Sequence, residues 1–123
     1  MKKLQHDLLT NKYTTVFHEE EFTNNAPHRF VVSKTEEIGD GLPHAPIAEI
    51  HFQEGPIKEA GVNGVNNEDL IAMVICRLEH FNNSPYRSRD NSMAITKLEE
   101  ALLWLRKRTI GRENRGVEGT NVI

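Results

Sequence analysis

The second half of the chain carries two apolar series at helical spacing, separated by a breaker too short to hold another element. Ile71, Val74 or Ile75, Leu78 and Phe81 recur every three or four residues up to about residue 82. Ala94 or Ile95, Leu98, Ala101 or Leu102, and Leu105 repeat that period until Gly111. Between them lies only the breaker Asn82-Asn-Ser-Pro-Tyr86. A short connection forces two long amphipathic helices to run antiparallel, so residues 66–110 read as a helical hairpin. Asn66 or Asn67 is placed to cap the first helix, with Glu68 and Asp69 facing the positive end of its dipole. Asp90 is the expected cap of the second. Residues 111–123 show no period and read as a tail, either an ordered arm or a disordered end.

The first half lacks that period and alternates between β-forming runs and turn chemistry. Tyr13-Thr-Thr-Val-Phe17 and His28-Arg-Phe-Val-Val-Ser33 are rich in β-branched and aromatic residues, and Ala48-Glu-Ile-His-Phe-Gln53 puts Ile50 and Phe52 on one face. Thr23–Pro27, Gly39–Pro43 with Pro46, Gly55-Pro56 and Gly61–Val65 supply the turns. The expected fold is α+β: an N-terminal antiparallel β-sheet over residues 1–65, then a C-terminal antiparallel helical hairpin, in a single domain 1–123. Three strands and one hairpin make a thin core. A chain of 123 residues buries only about two-thirds of its unfolded surface. A sizeable ligand pocket is therefore hard to build inside one copy.

Charge narrows the class of partner. The net charge of −3 argues against a general DNA or RNA coat, which carries a basic surplus. No apolar run approaches the ~18 residues of a membrane span. The opening MKKLQHDLLT has two lysines but no long apolar region behind them, so it is not expected to act as a signal peptide. The single cysteine, Cys76, allows no internal disulfide and fits a reducing cytoplasm. The charges are also segregated. Residues 87–115 hold eight basic and four acidic side chains, whereas residues 1–86 hold seven and thirteen. Such a basic run serves either as a solvated helix face or for local capture of a small anion.

Catalytic patterns are weak. The six histidines never fall at a metal-ligand spacing, no second cysteine is available, and no GxSxG, P-loop or GxGxxG occurs. Adjacent Glu99 and Glu100 point to different helix faces and form no acid/base dyad. Cys76 reads as a small buried hydrophobe near the apolar stripe rather than a nucleophile. No catalytic residue, metal site or cofactor is expected. Binding patterns are better supplied. The loop end of the hairpin gathers Phe81, Tyr86, Arg87, Arg89, Asp90 and Asn91. An aromatic face to stack a base, an amide to read its edge and an arginine for phosphate are what a nucleotide site needs. Each has a structural alternative: Phe81 as core closing a helix end, Asn91 as an ordinary first-turn residue, Tyr86 packed against the sheet, Arg106, Lys107 and Arg108 offsetting a helix dipole. Asn91 and Arg108 stand 17 residues apart on one expected helix, about 25 Å. If both serve one small ligand, a second chain must run antiparallel beside the first, and a two-fold dimer would make the site twice.

The run IHFQEGPIKEAGVNGVNNEDLIAMVICRLEHFNN, followed by SPYRSRDNSMAITKLEEALLWLRKRTIGRENRGVEGT, resembles the phage Thoeris anti-defense 1 family. The AITKLEEA segment of the hairpin is similar to one in anti-CBASS 2 proteins, and the resemblance covers roughly residues 47–121. It implies a sponge, not an enzyme. Such a protein sequesters, without cleaving, the signalling nucleotide of Thoeris immunity, a glyco-cyclic ADP-ribose, in the host bacterial cytoplasm, so the effector is never switched on. Some members also hold CBASS cyclic di- or trinucleotides in separate sites and assemble as hexamers, trimers of dimers. Carried over, Phe81 resembles the base-stacking aromatic, Asn91 the base-reading amide and Arg108 a phosphate clamp from the partner chain. Arg29 is similar to a further arginine near the ligand, and Arg89, Arg106 and Thr109 to contacts for cyclic oligonucleotides. The competing expectations are a phosphodiesterase or hydrolase that destroys the signal, and a structural phage module that binds protein through the hairpin.

Overall fold

Thr15 and Phe17 leave almost no surface exposed, and the strand that carries them organises the first half of the chain. The computed structural model describes residues 1–41 and 43–123; of the loop expected over 39–43, Leu42 lies outside the described residues. Among the described residues, strands β1 (Lys2–Lys3), β2 (Thr14–His18), β3 (Arg29–Lys34) and β4 (Ala48–His51) pair in sequence order, antiparallel throughout. The register sets Thr15 opposite Ser33 and Phe17 opposite Val31, so one face buries Thr15, Phe17 and Ser33. The other face carries Val16, His18, Phe30 and Ile50, because partners in an antiparallel ladder share a face. There Phe30 meets Phe52 edge-on at 5.4 Å between ring centroids and lies 6.1 Å from His18. The shared face of Ile50 and Phe52 is as the alternation implied.

Three strands were expected and the sheet has four. The additional one, β1, is two residues long and pairs Lys2 with His18 and Lys3 with Phe17. Two residues carry no alternation; β1 exists because β2 offers it an open edge. The loop between β2 and β3 is tied internally. The Glu19 carboxylate accepts the His28 N–H at 2.9 Å, and Asn24 and Asn25 take the left-handed conformation that asparagine tolerates. A 3-10 turn at Thr35–Glu37 begins the next connection.

Chain contacts divide the molecule into two compact units, Met1–Gly64 and Val65–Ile123. The first ends in a loop locked by two amides. Asn63 accepts the Glu54 N–H at 2.8 Å and donates to the Glu54 carbonyl at 2.7 Å, while Gln53 donates to the Gly61 carbonyl at 2.7 Å. Within it the single-turn helix α1 (Ile57–Ala60) ends at Gly61, whose φ of 73° suits glycine.

The second unit is the antiparallel hairpin of α2 (Asn67–Asn82) and α3 (Arg89–Asn114), packed on each other as expected. Asn66 caps α2, and the Asp69 carboxylate accepts the Asn66 N–H at 2.8 Å. Two boundaries differ from expectation. Ser88, not Asp90, caps α3, its hydroxyl accepting the Asn91 N–H at 3.0 Å. The helix also runs through Gly111 to Asn114 and stops at Gly116, whose φ of 71° places it in the left-handed region. There Val117 N–H reaches the Arg112 carbonyl and Gly116 N–H the Glu113 carbonyl, both at 3.0 Å, a Schellman motif. The tail is an ordered arm: Arg112 donates to the carbonyls of Val117 and Thr120, each at 3.1 Å. Cys76, expected among the buried apolar positions, is exposed, because it lies about 100° around α2 from the buried Ile75.

Gly64 sits where no side chain fits, since a Cβ there would come within 2.5 Å of the His51 and Phe52 carbonyl oxygens. Gly64→Ala is expected to cost about 1–3 kcal/mol through forced backbone displacement, measured as a lowered midpoint of thermal or urea unfolding.

Candidate functional site

The loop end of the hairpin is built around one side chain that sequence reasoning did not single out. Asn82, the last residue of α2, accepts the Ser88 N–H at 3.1 Å through Oδ1 and donates from Nδ2 to the Ser92 hydroxyl at 2.9 Å. The last turn of α2 is thereby bound to the first turn of α3. Phe81 precedes Asn82 and Asn91 precedes Ser92, so the expected stacking ring and base-reading amide each stand next in sequence to a clamped residue. Ser84 shapes the turn between them: its hydroxyl donates to the Phe81 carbonyl and accepts the Tyr86 N–H at 3.1 Å. The signal available in sequence was an asparagine at a helix C-terminus followed by two serines at turn distance, a pattern that is common in loops.

Phe81 is not core. Its side chain is 39% exposed at the end of α2. Asn91 is half-buried, its backbone N–H is held by Ser88, and among the described residues its side-chain amide has no hydrogen-bond partner. Tyr86 stands exposed in the loop. An open depression of about 360 Å³ lies beside this pair, lined by Asn82, Arg87, Ser88, Arg89 and Ser92. Neither Phe81 nor Asn91 lines it.

Arg108 occupies the far part of α3, exposed and, among the described residues, without an ion pair. The helix between Asn91 and Arg108 is continuous, so their 17-residue separation is about 25 Å along its axis. The structure does not bring them together within one chain. Arg89 lines the depression at the start of α3, whereas Arg106 pairs with Glu113 at 3.1 Å and the Thr109 hydroxyl donates to the Leu105 carbonyl at 3.1 Å. These three are likewise split between the two ends of α3. Arg29 belongs to the sheet unit, where it opens β3, is exposed and sits opposite His51 in the ladder. Among the described residues no cluster of three His, Cys, Asp or Glu side chains is arranged to hold a metal ion, and no helix is long and apolar enough to cross a membrane.

Residues 45–109 match the family model described as Acb2/Tad1, hairpin domain. The chain is also 49% identical, over 98% of its own length and 99% of the relative's, to a protein named Thoeris anti-defense 1 from Bacillus phage SBSphiJ7. The matched hairpin segment contains Phe81, Asn82, Asn91 and Arg108, whereas Arg29 lies outside it.

Asn82→Ala removes both bonds of the clamp at an exposed site, with an expected loss of about 1 kcal/mol. Amide hydrogen exchange at Ser88 should accelerate while exchange in the middle of α3 stays unchanged.

Proposed function

The chain belongs to the Acb2/Tad1 hairpin family, and on that premise we propose that it is a phage anti-defense sponge that binds and sequesters, without cleaving, a glyco-cyclic ADP-ribose. Kinship with a Thoeris anti-defense 1 protein supports the anti-defense role. The observation that supports the nucleotide reading is at the loop end: an exposed aromatic ring, Phe81, and an Asn91 amide with no hydrogen-bond partner among the described residues, each next in sequence to a residue of the Asn82 clamp. Adenine stacks on Phe81 while Asn91 reads its edge. Arg108 grips the pyrophosphate, where a planar guanidinium gives paired, charge-assisted hydrogen bonds. Capture in the host cytoplasm keeps the signal from its effector, and slow release serves that purpose without an acid/base pair.

The 25 Å between Asn91 and Arg108 makes the site a shared one. In a two-fold dimer of antiparallel hairpins, Phe81 and Asn91 of one copy face Arg108 of the other, and the site occurs twice. The exposed apolar side chains of the hairpin favour such an assembly. Met73 and Val74 on α2 and Leu103 and Trp104 on α3 stand in solvent, the last two 69% and 68% exposed. Exposed apolar surface of this kind marks interaction sites. The same proposal extends to a hexamer, a trimer of dimers, in which Arg89, Arg106 and Thr109 of neighbouring copies hold CBASS cyclic di- or trinucleotides.

Sequestration is tested by incubating the protein with glyco-cyclic ADP-ribose, denaturing it, and analysing the released nucleotide by chromatography. Intact ligand is expected; a linearised or fragmented product would mean a hydrolase instead. Phe81→Ala is expected to weaken capture by about 1–3 kcal/mol, the worth of one base–aromatic stack. Asn91→Ala and Arg108→Ala should each weaken it as well, with unfolding midpoints near that of the unaltered chain. Titration calorimetry checks all three, and wild-type affinity in Arg108→Ala would sink the shared site.

A further inference from the structure

Phe81 is not a free-standing ring. Arg77, four residues earlier on α2, sets its guanidinium carbon 5.4 Å from the ring centroid, the spacing at which side chains on one helix face meet. Among the described residues, Arg77 makes no ion pair and its side chain no hydrogen bond, so its nearest defined partner is the ring. Both side chains are exposed. An exposed phenylalanine at a helix end has several rotamers open to it, and fixing one when a ligand arrives costs affinity. A guanidinium stacked on the ring removes part of that freedom beforehand, since a cation over an aromatic face is attracted by its quadrupole.

Resting on the nucleotide reading above, we infer that Arg77 is the positioning residue of the stacking ring: it holds Phe81 ready for a purine and acts through the ring rather than by touching the ligand. Its task differs from that of Arg108. The charge of Arg108 meets phosphate directly, whereas that of Arg77 is directed at the π-face. Three consequences follow from a role exercised through the ring. A cation at position 77 should suffice, so lysine should replace arginine with little loss. Removing the cation should weaken capture modestly. Once the ring is gone, removing the cation should change nothing more.

The test measures glyco-cyclic ADP-ribose affinity by calorimetry for the unaltered chain, Arg77→Gln, Arg77→Lys, Phe81→Leu and the double variant Arg77→Gln/Phe81→Leu. Arg77→Gln is expected to weaken binding about two- to fivefold, Arg77→Lys to restore most of it, and the double variant to match Phe81→Leu. In the free protein, carbon-13 relaxation of the Phe81 ring should report greater mobility in Arg77→Gln than in Arg77→Lys. Equal affinity in Arg77→Gln and the unaltered chain overturns the inference alone. An undiminished loss in the Phe81→Leu background overturns it too, because Arg77 would then contact the ligand. Failure of the unaltered chain to bind this nucleotide overturns the functional reading, and this inference with it.

Discussion

A single uninterrupted helix of 26 residues, Arg89–Asn114, sets the geometry on which the rest of the hairpin depends. At 1.5 Å per residue it is about 39 Å long, comparable with the dimension of a small domain. Both ends are fixed by specific groups: the Ser88 hydroxyl at the start, and Gly116 with the Arg112 guanidinium at the finish. Because the helix between them is continuous, Asn91 and Arg108 stand about 25 Å apart within one chain. The proposed site shared between copies follows from that separation. Among the described residues Ile75 is the only hydrophobic side chain buried in α2 or α3, while Leu103 and Trp104 stand in solvent. The helix pair has apolar surface left over for a neighbour.

Placement of charge matters more here than its sum. The chain is acidic by three charges, yet its basic residues concentrate along α3 and the loop before it. Most of them are not neutralised locally. Of the arginines in that region, Arg106 pairs with Glu113, whereas Arg87, Arg89 and Arg108 make no ion pair among the described residues. Exposed arginines without carboxylate partners keep their full capacity for phosphate, and local surplus draws anions regardless of the net total.

The hairpin was legible because its apolar period runs over long windows, and its antiparallel pairing followed from the short breaker. The three longer strands were legible from β-branched and aromatic runs within one or two residues of their ends. What escaped depends on partners distant in sequence. β1 has two residues and forms on the edge of β2. The cap of α3 falls at Ser88 rather than Asp90, and Asn82 on the other helix holds the Ser88 N–H. Cys76 was placed with the buried stripe, but its angle on α2 turns it outward. For the candidate site, residue types and the distance along α3 could be read directly. Asn82, which ties the two helix ends together, could not, because an asparagine at a helix end announces a turn and says nothing of which serine it will bind.

In the proposed dimer one site takes Phe81 from one copy and Arg108 from another. Mixing the Phe81→Ala and Arg108→Ala chains, refolding them together and isolating the mixed dimer tests it most directly. Each variant alone should bind glyco-cyclic ADP-ribose poorly, because both of its sites are damaged. The mixed dimer should recover one site of wild-type affinity, since the intact Phe81 and the intact Arg108 meet in one site and both losses fall in the other. Native mass spectrometry would then show one nucleotide per mixed dimer and two per unaltered dimer. A mixed dimer that binds no better than its parents would exclude a site shared between copies.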